Sequence, residues 1–92
     1  MNALARMRQA VSEQRYRISV HAIDEMSDDS LESADVEQVI LTGRISRVFT
    51  RDPRGTRYEV AGETADGRPA CVVCRFLASN VLLVITAYAV EE

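Results

Sequence analysis

Apolar residues along this chain change period once, near residue 44. Before it they recur every three or four positions, the spacing that lines one face of a helix. After it they alternate or run together, as they do in strands. Leu4, Met7 and Val11, with Ala3 and Ala10 beside them, form a thin apolar stripe within residues 2–15, and Arg6, Arg8, Gln9 and Glu13 fill the rest of the wheel. This predicts a first helix, loosely docked. Tyr16 to Val20 reads as a short extended link with Ile18 and Val20 buried. Ser19 then caps a helix from about Val20 to Asp28, whose Ala22, Ile23 and Met26 turn inward while His21, Asp24, Glu25 and Asp28 lie on the other faces. After an acidic link, Ser33 caps a third helix with Val36, Val39 and Ile40 as its buried stripe and Gly43 as its stop.

Beyond Arg44 the alternation predicts four strands, at about 45–51, 56–62, 69–76 and 81–89. Asp52-Pro53-Arg54-Gly55 suits a type I turn with a following bulge. In that register Val48 faces Val60 and Thr50 faces Tyr58 on the core side, leaving Arg47, Phe49, Arg51, Arg57 and Glu59 on the other. Ala65-Asp66-Gly67-Arg68 signals a second hairpin, and Pro69 fits only at the start of its strand. The last strand is apolar on both faces and belongs inside a sheet or under helices. The order gives an α+β fold: about three N-terminal helices packed on a four-stranded, mostly antiparallel sheet. One domain spans 1–92, with an N-terminal helix at 1–15 and a core at 16–89, because 92 residues supply material for a single core.

Composition changes this picture in three places. The opening Met-Asn-Ala-Leu-Ala-Arg lacks the basic-then-apolar pattern of a secretory leader, and the apolar run from Val81 is about half the ~20 residues of a membrane helix. A cytoplasmic protein with no membrane partner is expected. The net charge is −3, but the charges are segregated. Asp24, Glu25, Asp28, Asp29, Glu32, Asp35 and Glu37 stand together with no basic residue among them, whereas Arg44, Arg47, Arg51, Arg54 and Arg57 share their stretch with Asp52 alone. Finally, Cys71-Val72-Val73-Cys74 spells C-x-x-C inside a β-rich run, where residues three apart point to opposite faces. No second cysteine pair exists, and His21 is the only other soft ligand. Reduced structural cysteines, no metal and no other cofactor are expected.

His21 is the only histidine, placed early in its helix and four residues before Glu25, so the two share one face. Imidazole exchanges protons near neutrality, and a neighbouring carboxylate orients the ring. The competing reading is a structural histidine that satisfies a backbone group, with the arginines as a solvated hairpin face and Tyr88 as a core residue with its hydroxyl at the rim.

Tyr16-x-Ile18-Ser19-x-His21-Ala22-x-x-x-Met26, the capped Asp35-Val36-Glu37-Gln38-Val39, Asp66-Gly67-Arg68-Pro69 and the closing Ile85-Thr86-x-Tyr88 together resemble a family of small bacterial domains of unknown function. Its members open with H-A-x-x-R-M and end in I-T-x-Y. The resemblance covers Tyr16 to Tyr88. It implies a fold similar to the RelE and BrnT toxins, and metal-free RNA cleavage within a toxin–antitoxin pair, with RNA and a cognate antitoxin as partners. By position, the family's histidine is His21 and its closing threonine and tyrosine are Thr86 and Tyr88. Glu25 stands where the family has arginine, a carboxylate where a cation would neutralise the attacked phosphate, which implies a degraded active site as one outcome.

Cleavage by the ribose 2′-hydroxyl calls for a base, an acid and positive charge on the phosphate. The implied roles are His21 as base or acid, Glu25 as its orienting partner or the base itself, and Tyr88 as hydrogen-bond or proton donor. Arg47, Arg51 or Arg57 would hold phosphate, and Phe49 would offer a stacking face. The imidazole and the phenol are expected to converge on one pocket edged by guanidinium groups. The alternative is a non-catalytic protein-binding module of the same fold, pairing as a homodimer through the hairpin or the first helix.

Overall fold

The computed structural model describes residues 1–91. Its elements are α1 (Ala3–Ser12), β1 (Tyr16–Ile18), α2 (Val20–Asp28), α3 (Ser33–Thr42), β2 (Arg44–Phe49), β3 (Arg57–Glu63), β4 (Pro69–Phe76) and β5 (Leu82–Ala89). The strands form one mixed sheet in the order β1-β5-β4-β3-β2, antiparallel except that β1 runs parallel to β5. The fold is α+β with three helices, but the sheet has five strands where four were expected. The extended link from Tyr16 to Ile18 is the fifth, paired with Leu82 to Val84. Three residues are too few to display an alternation, so only the pairing reveals the strand.

One face of the sheet carries the core. Met7, Ala10 and Val11 of α1 and Val36, Val39 and Ile40 of α3 pack on Val60, Val72, Cys74, Leu82, Val84 and Ala87, joined at the side by Ala22 and Met26 of α2. Each large side chain sealed here contributes about 1.5–3 kcal/mol relative to exposure. The first helix is therefore firmly docked, not loose: Met7 is 0% exposed, and its Sδ lies 3.3 Å from Cys74 Sγ. Its narrow stripe is reinforced by Arg8, which donates from Nε to Ile40 O (3.1 Å) and from Nη2 to Gly43 O (2.9 Å), satisfying carbonyls at the end of α3.

The second helix does not lie over the sheet; it closes an edge. Where β1 stops, the Ser19 N–H donates to Val84 O (2.9 Å) and Ser19 Oγ to Ile85 O (2.9 Å). Farther along, Glu25 Oε1 accepts the Ala87 N–H (3.3 Å) and Asp29 Oδ2 accepts the Ala89 N–H (2.8 Å). Side chains of a helix thus replace a neighbouring strand. Only Ala22 and Met26 reach the core from this position, which is why Ile23, expected inward, is 51% exposed. Ser19 caps α2 as expected, accepting the Ala22 N–H at 3.0 Å. The N-cap of α3 is Glu32, not Ser33, with the Glu32 N–H donating to Asp35 Oδ2 at 2.9 Å. Arg68 ties the β3–β4 turn to the end of α2, donating to Asp29 O (2.8 Å) and Ser30 O (2.9 Å).

The β2–β3 hairpin corrects the expected register by two residues. Val48 pairs with Tyr58, Arg47 with Glu59 and Phe49 with Arg57, while Ile45 pairs with Val60 across a bulge. Thr50 lies beyond the strand, and Val48, expected in the core, is 51% exposed. A slip of two keeps every side chain on its face, so Arg47, Phe49, Arg57 and Glu59 remain together on the side away from the core. Arg51 sits in the connecting loop, outside the pairing.

Cys71 and Cys74 point to opposite faces of β4, with Cys74 in the core and Cys71 behind it. Burial pushes the Cys74 thiol up to about 12 and raises that of Cys71. Mild oxidation is expected to leave both thiols free in the folded protein, both reacting with a thiol reagent only on unfolding. A disulfide formed in the native state would contradict this placement. No helix among the described residues is long and apolar enough to cross a membrane.

Candidate functional site

The face of the sheet opposite α1 and α3 carries nearly all of the candidate chemistry. Pairing fixes which side chains share it. Thr86 on β5 faces Val73 on β4, Val73 faces Glu59 on β3, and Glu59 faces Arg47 on β2, a straight row across four strands. On one side of this row lie Tyr88 and Cys71, and on the other Leu83 and Arg75, with Phe49 beside Arg57 at the hairpin end. At the β5 end of the row stands α2, presenting His21 and Glu25.

Glu25 is the centre of the first cluster. Its Oε1 accepts from the Thr86 hydroxyl and the Ala87 N–H and lies 3.3 Å from His21 Nε2. The His21 side chain is 70% exposed, so the imidazole is not sealed against backbone carbonyls. It is held on one side and open to a ligand on the other, the arrangement an acid–base group needs. Glu25 does two things through one oxygen: it closes the β5 edge and it orients the ring.

Tyr88 shares the face but not the cluster. Its hydroxyl meets Glu59 Oε2 at 3.5 Å, and Glu59 also accepts from Ser46 Oγ at 2.8 Å. Burial, with Cys71 and Glu59 alongside, pushes the phenol up to about 12, so it stays protonated at neutral pH and acts as a hydrogen-bond donor. The imidazole and the phenol, expected to converge on one pocket, have different partners here, Glu25 and Glu59. Both border the same open surface, but the phenol turns inward along the strand row toward Glu59.

The second cluster is the hairpin. The Arg47 and Arg57 guanidinium carbons lie 5.5 and 4.9 Å from the centre of the Phe49 ring. Arg57 Nε is also 3.2 Å from Asp52 Oδ2. Hydrogen bonds from the Arg54 backbone, followed by the Arg54 side chain and the charges of Arg54 and Arg57, hold the Asp52 carboxyl below its ordinary range. A cleft of about 530 Å³ opens here, lined by residues 48–54 and Arg57. Phe49, Arg51 and Arg57 line it; His21, Glu25, Thr86 and Tyr88 do not. The candidate residues thus form two groups, Thr86 and Arg47 being separated by three strand spacings, roughly 14 Å.

Two basic residues of this face escaped the sequence reading. Arg17 on β1 pairs with Leu83, and Leu83 pairs with Arg75 on β4, which puts both guanidinium groups on the open side. Neither stands in a charge run, and Arg17 lay in a segment not recognised as a strand. Only knowledge of the β1–β5 pairing would have found it. No group of three or more His, Cys, Asp or Glu residues that could hold a metal ion occurs among the described residues.

No curated protein and no solved structure matches this chain. One family model does, over residues 18–89, from the strand before His21 to the end of β5, and so includes both the α2 edge closure and the Ile85–Tyr88 stretch. The chain therefore belongs to the family described as domain of unknown function DUF4258.

Proposed function

We propose that this domain is a cytoplasmic, RNA-directed, toxin-like protein, a metal-independent endoribonuclease of the RelE and BrnT kind acting within a toxin–antitoxin pair. The observation that carries this reading is the exposed His21 imidazole, held by Glu25 at the margin of an open sheet face lined with arginines. His21 takes the proton from the ribose 2′-hydroxyl or returns one to the leaving oxygen. Glu25 and Thr86 fix the ring and its edge, and Tyr88 donates a hydrogen bond. Arg47, Arg51 and Arg57 hold phosphate, and Phe49 stacks on a base. A cognate antitoxin would silence the domain by covering this face.

The test is incubation of the purified domain with single-stranded RNA in excess chelator. Fragments ending in cyclic phosphate are expected, and intact RNA at high protein concentration would overturn the reading. One observation favours a second reading, a non-catalytic protein-binding module: Val20 and Ile23, 76% and 51% exposed, form an apolar pair beside His21 on α2. Intact RNA, together with association between copies of the chain that is lost in Ile23→Asp, would establish that module.

A further inference from the structure

The eleven arginines of this chain sort by partner. Arg6, Arg8, Arg15, Arg54, Arg57 and Arg68 are engaged by hydrogen bonds or ion pairs. Arg17, Arg44, Arg47, Arg51 and Arg75 make neither among the described residues. Arg17, Arg44, Arg47 and Arg75 all project from the sheet face that α1 and α3 leave open, and Arg51 is in the hairpin loop at its rim. A merely solvated set of arginines would be scattered over both layers. Instead the unpartnered ones gather on one face, although the chain as a whole is acidic.

We infer that Arg75 and Arg17 form the middle and the far end, respectively, of a phosphate track, along which one strand of RNA crosses the sheet from the Phe49 hairpin to His21. The inference rests on the RNA-directed reading and adds its route and two residues. The two clusters of the site are roughly 14 Å apart, too far for one phosphate to touch both. A ligand that uses both must be extended and must be charged between them. Along that way Arg75 lies on β4, one strand inward from β5, and Arg17 lies on β1, two residues before the Ser19 cap of the helix that bears His21. Leu83 between them gives an apolar floor rather than a competing charge. Phe49 anchors a base at the start of the route, and the guanidinium groups follow the backbone without reading sequence. The same track supplies cations near His21 although Glu25 occupies the family's arginine position.

The experiment measures binding of a short fluorescent oligouridylate with 2′-O-methyl riboses, which cannot be cleaved through the 2′-oxygen, across a series of salt concentrations. Each phosphate contact contributes about 0.7 to the slope of log affinity against log salt for a single strand. Arg17→Gln and Arg75→Gln are each expected to lower that slope by about 0.7 and to weaken binding several-fold at low salt. Arg6→Gln, on the helix-covered side, is expected to change neither. The Arg17 and Arg75 variants should both unfold at the wild-type temperature, because neither side chain has a hydrogen-bond or ion-pair partner to lose among the described residues. Binding with an unchanged slope in both variants overturns the track while leaving cleavage by His21 standing. Tight, slope-sensitive binding with no cleavage of ordinary RNA supports the track and overturns the catalytic reading. Absence of any binding overturns both.

Discussion

An alanine in place of His21 is expected to lower RNA cleavage by about 10²–10⁴-fold, the usual contribution of one positioned acid–base group. The same substitution should leave the unfolding midpoint unchanged. The ring is 70% exposed and its contact with Glu25 is a single surface interaction, of the kind that contributes little to stability. A structural histidine would behave in the opposite way, losing stability with no specific effect on rate. Side-by-side measurement of cleavage rate and thermal unfolding therefore separates the two. Full cleavage by His21→Ala would remove this residue from the mechanism. Glu25→Arg, which installs the arginine that the sequence resemblance leads one to expect there, is a less simple test than that expectation suggests. The Glu25 carboxylate accepts the Ala87 N–H and the Thr86 hydroxyl. A guanidinium has only donors to offer there, so this variant would leave the Ala87 N–H without its acceptor. The carboxylate at this position thus has a structural role in the edge that it closes.

Gly43→Ala is expected to destabilise the fold by about 3 kcal/mol, a large share of what a domain of this size possesses. A Cβ at this position would lie 2.4 Å from Val39 O and 2.5 Å from Ala61 O. Both are backbone atoms, so no side chain can turn aside to make room. Relief requires the end of α3 to lift from β3, and with it Val39 and Ile40 from the core. Gly62 across the contact repeats the pattern, since a Cβ there would meet Gly43 Cα at 3.0 Å. Urea unfolding checks the expectation: the midpoint should fall steeply with an unchanged slope, and a wild-type midpoint would show that α3 and β3 do not meet this closely.

Gly43 also shows what kind of information the chain carries in its order and what kind it does not. The residue was legible as the end of a helix, and the helix does end there. The usual reason, a left-handed backbone, is not the one at work, because its φ is −84°. The glycine is required by a strand nearly twenty residues away. The same division runs through the fold. Helices with a regular stripe, such as Val36, Val39 and Ile40, and turns with Pro or Gly at defined places, such as Asp52 to Gly55 and Ala65 to Arg68, announce themselves locally. Features decided by pairing do not: the parallel strand at Tyr16 to Ile18, the two-residue offset of the β2–β3 hairpin, and the position of α2 beside the sheet rather than over it. The site divides likewise. His21 and Glu25 were legible together because four residues on a helix is a contact. That Thr86 completes the cluster while Tyr88 turns to Glu59 depends on how β5 lies between α2 and β4. The face shared by Arg17, Arg75 and Arg47 depends on all five strands.

The closing of β5 by the side chains of α2 has a consequence for assembly. One flank of the sheet is sealed after a three-residue strand, while the outer edge of β2 on the other flank has no strand beside it among the described residues. Such a sheet can be lengthened only once by its own kind: two copies laid flank to flank through β2 would leave no bare strand of comparable length for a third. Growth by this route stops at a pair, which guards a chain rich in β-structure against stacking into fibrils.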